Sequence, residues 1–232
     1  MIARNRAAFR ALAGKDNSFV IKARFAASAL LSLALLGCAS DGLITETGGV
    51  LVTRSACTAV AIPAGTGDVT LFSPENARTA DAIDIVATMT KLTSTCDETG
   101  DYVITTANFE VQAQRRNTQG AREVVLPYFA TVVHAGSNVV SKSVNRVGLR
   151  FADGEARAST TGQATSRVLR SAATLPEEIR REVTRERKAG EADAAVDPLS
   201  NPNVRAAVQR ASFELLVGFQ LTPEQLAYNA TK

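Results

Sequence analysis

Residues 102–114 alternate with period two. Val103, Thr105, Ala107, Phe109, Val111 and Ala113 fall on one side, and Ile104, Thr106, Asn108, Glu110, Gln112 and Gln114 on the other. Apolar residues at every second position share one face of an extended strand, whereas a helix would scatter them around its circumference. The second face is mostly polar, as expected of an antiparallel strand with one side in water. The apolar side needs a second layer to cover it, so this stretch alone calls for a packed β-fold.

The rest of the chain keeps the same rhythm. Short extended segments are predicted at 58–62, 69–72, 83–96, 124–134, 139–151, 156–169 and 213–221. Turn-forming groups separate them: Pro63 with Gly65 and Gly67, Ser73-Pro74-Glu75-Asn76, Asp97 to Gly100, Ala135-Gly136-Ser137-Asn138, and Asp153-Gly154. Pro127 lies inside the 124–134 segment, where it donates no ladder hydrogen bond, so a bulge or an edge-facing position is expected there. Many short antiparallel strands with little helix predict an all-β fold, an antiparallel β-sandwich of immunoglobulin-like type. The chain has no Trp, so the Cys-Trp-Cys hallmark of that type is missing. A small barrel is the main alternative.

Two helical features interrupt this pattern. Residues 177–188 are rich in Glu and Arg, and only Ile179 and Val183 are apolar, four apart on one stripe. The expectation is a helical insertion at about 175–210, made of an exposed helix over 177–188, a loop over 190–203 and one or two helical turns at 204–209. Its plain reading is a solvated surface helix. Its sharper reading is a partner contact in which Ile179 and Val183 enter a groove, with Arg180 and Arg187 at the rim. Near the C-terminus, Thr222, Pro223 and Gln225 match an N-cap, an N1 proline and the closing residue of a capping box, so a short helix through Tyr228 is expected. Phe219, Leu221, Leu226 and Tyr228 read as core packing. A terminal strand at a sheet edge could alternatively accept a strand from a partner.

The N-terminal region follows other rules. Arg4, Arg6, Arg10, Lys15, Lys22 and Arg24 are opposed only by Asp16, and an apolar run from Phe25 to Gly37 follows. That run falls short of the roughly 20 apolar residues a membrane-spanning helix needs. Charge, a short apolar core and a small-residue end form the order of a signal peptide. The segment is long ahead of its apolar core, and a start near Val20 would make it compact. Leu35, Leu36 and Gly37 run directly into Cys38, which resembles the lipobox of bacterial lipoproteins. The resemblance implies cleavage after residue 37, acylation of Cys38 as the lipidation site, and a lipid-anchored protein. Ala39, where aspartate would imply retention at the inner membrane, implies the outer membrane, with the domain on its periplasmic face. Two or three acyl chains would hold the protein firmly, because each buried methylene contributes about 0.8 kcal/mol.

Further expectations rest on that resemblance. With Cys38 lipidated, Cys57 and Cys96 remain as an even pair in an oxidising compartment, which implies a disulfide. A metal or redox pair is the alternative, but the two are far apart in sequence and one histidine does not complete a ligand set. Residues 38–56, with Gly42, Gly48 and Gly49 among small polar groups, read as a lipidated tether, and 57–232 as the domain. The chain's charge of +3 also changes meaning: residues 1–37 contribute six cations and one aspartate, +5, so the remainder is −2. No nucleic-acid partner follows from that balance.

The segments Leu126 to Val133 (LPYFATVV) and Val217 to Asn229 (VGFQLTPEQLAYN) also resemble a group of alphaproteobacterial envelope lipoproteins, a likeness that implies no particular activity. No catalytic residue stands out. His134 is the only histidine, and no serine context around it resembles a nucleophile elbow. Asp81, Asp84, Asp97, Glu98 and Asp101 are candidates for paired-carboxylate chemistry by type alone, and they sit in or beside turns. Gly65-Thr66-Gly67-Asp68 lacks the Lys-Ser/Thr of a phosphate loop. The expectation is a non-enzymatic, cofactor-free and metal-free interaction or assembly module bound to an envelope protein, the alternative being a ligand- or glycan-binding lipoprotein.

Overall fold

The computed structural model describes residues 43–44, 50–51, 55–187, 190–194 and 196–231. The leader, Cys38 and most of the tether lie outside these residues. Two short strands, β1 (Leu43–Ile44) and β2 (Val50–Leu51), pair antiparallel within the stretch read as tether.

Eight further strands form two four-stranded sheets, as a β-sandwich requires. They are β3 (Ala59–Ala61), β4 (Asp68–Phe72), β5 (Ile83–Asp97), β6 (Tyr102–Arg115), β7 (Arg122–His134), β8 (Asn138–Phe151), β9 (Arg157–Leu169) and β10 (Phe213–Phe219). One sheet runs β3-β10-β7-β8 and the other β4-β5-β6-β9. Every pairing within them is antiparallel except β3 with β10. In the immunoglobulin arrangement the second and third strands lie in opposite sheets. Here β4, β5 and β6 make a meander in one sheet, so the strand order departs from that subclass.

The apolar face predicted for β6 is the buried one: Val103, Ala107, Phe109 and Val111 are at most 2% exposed. They meet Leu126 and Tyr128 of β7, Leu149 and Phe151 of β8, and Leu215 and Val217 of β10 in one core. Each fully buried side chain of this size stabilises by roughly 1.5–3 kcal/mol relative to exposure. The Phe109 and Tyr128 rings meet edge to face at 5.1 Å across the two sheets, and the Tyr128 hydroxyl donates to the Gln163 carbonyl at 2.7 Å. Phe109 also lies over Gly162, its cross-strand partner, where a Cβ would come within 2.3 Å of the ring.

A disulfide joins Cys57, just ahead of β3 in one sheet, to Cys96 near the end of β5 in the other. Beneath it lies a buried row of hydroxyls. The Thr58 amide donates to Thr105 Oγ1, and Ser166 Oγ donates to Thr58 Oγ1, both at 3.2 Å. Cys96, Thr105 and Ser166 face one another in register across β5, β6 and β9. The polar groups at this end of the sandwich therefore satisfy each other.

Pro127 sits inside β7 without a bulge, which instead falls between Val132 and Val133. The last β10–β7 pair is Phe219 with Tyr128, and just beyond it the Gln220 amide donates to the Pro127 carbonyl. The backbone groups of Pro127 thus face the side where β10 ends, so its missing N–H removes no β7–β8 bond.

Among the described residues three short α-helices and a 3-10 turn (Pro198–Ser200) separate β9 from β10, the helices being α1 (Arg170–Ala173), α2 (Glu177–Thr184) and α3 (Pro202–Arg210). A fourth, α4 (Pro223–Asn229), follows β10 and opens with reciprocal Thr222–Gln225 capping bonds. It packs the Tyr228 ring edge-on against Phe72 at 5.1 Å, and Asn229 Nδ2 donates to the carbonyls of Gly65 and Asp68 at 2.8 Å each.

Candidate interaction surface

The strand β8 stands at the edge of its sheet, paired on one side with β7. Its two halves differ. Val147, Leu149 and Phe151 alternate into the core, whereas every residue from Asn138 to Arg146 is exposed. Val139, Val140 and Val144 are 64%, 59% and 54% exposed, the three highest values among the exposed large apolar side chains. A long edge carrying exposed valines is what folded proteins ordinarily shorten, cover or twist away.

The register fixes where the backbone groups point. Pro127, whose carbonyl is turned toward β10, pairs with Arg146. Arg146 is therefore in a pair without hydrogen bonds to β7, and its N–H and C=O point out of the sheet at the free edge. Hydrogen-bonding direction and side-chain face both repeat every second residue, so Lys142 and Val144 share this geometry. All three also carry their side chains on the face opposite Leu149 and Phe151.

That face combines charge with apolar surface. Lys142, Arg146 and Arg150 are the only charged residues of β8, and all are cations. Arg150 is paired with Glu123 at 3.2 Å on the exposed surface. Lys142 Nζ lies 5.4 Å from the centre of the Phe129 ring. Among the described residues, no carboxylate pairs with Lys142 or Arg146. Val144 stands opposite Phe129, and Val125, 52% exposed, stands opposite Gly148. The result is an apolar strip with cations along its outer margin.

The residues singled out from the sequence lie elsewhere. Val183 is 4% exposed and packs with Val204 and Val208 of α3, and Ile179, Leu175 and Leu199 join this cluster. The apolar stripe of α2 is thus used within the chain. Arg180 is exposed and bonded to Glu177, and Arg187 reaches the Glu182 carboxylate at 3.4 Å. The terminal strand is not at an edge either: β10 lies between β3 and β7. Among the edge strands β3, β4, β8 and β9, β8 carries the exposed valines, and the even spacing of Lys142, Arg146 and Arg150, without any acid between them, was the available signal.

His134 closes the end of β7. Its Nε2 lies 2.6 Å from the Arg210 carbonyl, and its ring stacks on Phe213 at 4.5 Å. Asp84 takes two bonds from Arg122, at 2.9 and 2.7 Å, and Asp97 accepts from the amide and hydroxyl of Thr99. The Thr99 bonds hold the Asp97 carboxyl below its ordinary pKa, and the Asp84 bonds raise that of Arg122. Glu98 lies beside the disulfide, with Oε1 2.7 Å from Cys57 Sγ. Both sulfurs are in the disulfide, so this trio offers no thiolate to a metal. A cleft of about 380 Å³ opens next to it, lined by Arg170, Leu175, Arg180, Val208, Phe213 and Glu214 among others.

The segments 126–133 and 217–229 prove to be neighbours. Val217, Gly218 and Phe219 of one pair with Ala130, Phe129 and Tyr128 of the other. Gly218 allows Thr66 to cross the sheet there, since a Cβ would come within 2.3 Å of Thr66 Oγ1. These residues build the centre of a sheet and its packing against the 63–68 loop.

No family model, no curated protein and no solved structure matches this chain.

Proposed function

We propose that this protein is a lipid-anchored, non-enzymatic envelope component. Its β-domain serves as an interaction or assembly module on the periplasmic face of the outer membrane. The observation that carries the interaction role is the exposed half of β8, an unpaired edge of hydrogen-bonding groups with uncovered valines. The anchoring part rests on Leu35, Leu36, Gly37 and Cys38 behind a basic, then apolar, leader. On this reading residues 1–37 are removed as a signal peptide, Cys38 carries the lipid and 38–56 link it to the domain. Several side chains that sequence reading offered for chemistry hold structure: His134 a strand end, Asp84 an ion pair, Asp97 a turn.

A second reading draws on the cleft beside the disulfide, where Arg170, Arg180, Glu98 and Glu214 border an apolar floor. It would make the protein a binder of a small ligand or glycan. The β8 edge, with its uncovered valines, is the less ordinary feature, and we favour the module.

The test is made in cells that carry a tagged copy. Cys38→Ser should leave an uncleaved precursor and release it from the outer-membrane fraction, and crosslinking of the parent protein should retrieve one envelope protein near stoichiometry. Unchanged processing and retention of Cys38→Ser would refute the anchor. Absence of any crosslinked partner would refute the module.

A further inference from the structure

Resting on the module reading, we infer that the exposed half of β8 binds an extended segment of a partner protein with acidic residues at every fourth position, by adding it as a new strand to the sheet. The backbone groups of Lys142, Val144 and Arg146 already point out of the free edge, so an incoming strand finds its ladder preformed. The same three residues present their side chains on the outer face. A strand paired here would set its own side chains about 4.5–5.5 Å from theirs, Cβ to Cβ.

The charge pattern chooses among occupants. Lys142 and Arg146 are four residues apart on one face, about 13 Å along a strand, and Val144 lies between them. Acidic residues at the same spacing would face both cations, while the position between them would rest on Val144 and the nearby Phe129 ring. A second copy of this chain is disfavoured, because β8 has no carboxylate and two copies would bring cations together on a shared face. An apolar strand would leave Lys142 and Arg146 without partners in a closed ladder.

The experiment uses the full chain and a blocked ten-residue peptide of alternating Val and Thr with glutamates four apart. Binding is read by anisotropy, and the site by backbone amide shifts. The inference expects saturable binding with shifts concentrated at 138–146. Affinity should fall at least tenfold in Lys142→Glu/Arg146→Glu. Binding should vanish in Val144→Pro, which removes an edge-facing N–H and leaves the β7–β8 ladder intact. Unchanged circular dichroism and melting temperature in each variant would show that the loss is local. A lysine-for-glutamate peptide should not bind. No peptide binding, shifts centred on the disulfide cleft, or binding only to vesicles of anionic phospholipid would each overturn the inference. The module reading would then still stand or fall on the cellular crosslinking.

Discussion

The Arg115 guanidinium lies 5.2 Å from the centre of the Phe151 ring and donates to four main-chain carbonyls, those of Thr118, Gly120, Ala152 and Glu155, each at 2.8 Å. Only 2% of Arg115 is exposed. A planar fork of donors fits four carbonyls from two loops, whereas an ammonium group cannot reach them all. This one side chain thus fastens the β6–β7 connection to the β8–β9 turn. Arg115→Lys is expected to cost about 2–4 kcal/mol, because buried carbonyls lose their donors. Urea melts check it, and a variant within about 0.5 kcal/mol of the parent, the range of ordinary surface changes, would remove Arg115 from its clamping role.

Gly162 accommodates the Phe109 ring. A methyl group there overlaps the ring, and Gly162→Ala should destabilise by about 1–3 kcal/mol, the usual range for overpacking. Phe109→Leu in the same background should return part of that loss. A double-mutant cycle between the two positions measures the coupling, and strict additivity would disprove the contact.

The Cys57–Cys96 disulfide closes a sequence separation of 39. In the chain-entropy model such a crosslink stabilises by roughly 4 kcal/mol, less any strain. Replacing both cysteines with alanine should lower the thermal midpoint by well over 5 °C. Calorimetry of the oxidised parent and the double variant decides it, and equal midpoints would show that the sandwich does not depend on its staple.

Tyr128 gives the stability an alkaline limb. Burial raises the pKa of its phenol above the ordinary value. A group whose folded pKa is raised favours the folded state fully below its unfolded pKa of about 10, and that contribution is lost as pH rises through the folded value. Tyr128→Phe should flatten the stability profile above pH of about 10. Denaturant midpoints measured across that range test the sign, and parallel profiles for parent and variant would refute it.

Much of the fold is written in local pattern. The period-two run of 102–114 marks β6 and its buried face, and Thr222 with Gln225 marks the start of α4, because alternation and capping depend on neighbours in sequence. Strand order depends on distant residues. The 213–221 segment reads as a terminal strand and stands in the middle of a sheet, while β8 reads as an ordinary strand with Val139, Val147, Leu149 and Phe151 in one register, yet it leaves the core over its first nine residues, Val139 among them. Ile179 and Val183 offered a stripe in search of a groove, and only the fold reveals that Val204 and Val208 occupy it. Arg115 opens the polar run 115–120, which reads as a hairpin connection but instead carries the chain from β6 to the other sheet, and the burial of Arg115 follows from two loops converging around it. For the candidate site, the spacing of Lys142, Arg146 and Arg150 was legible, but the freedom of the edge beside them was not.

The most direct measurement places a photo-crosslinking amino acid at Val144, and in parallel at Thr99 beside the disulfide end, in the full chain expressed in cells. The account predicts an adduct of defined mass from the Val144 position, mapping to an acidic extended segment of an envelope protein and lost in Lys142→Glu/Arg146→Glu. No adduct from Val144, or one that forms equally from Thr99, would contradict the claim that the β8 edge is where this protein meets its partner.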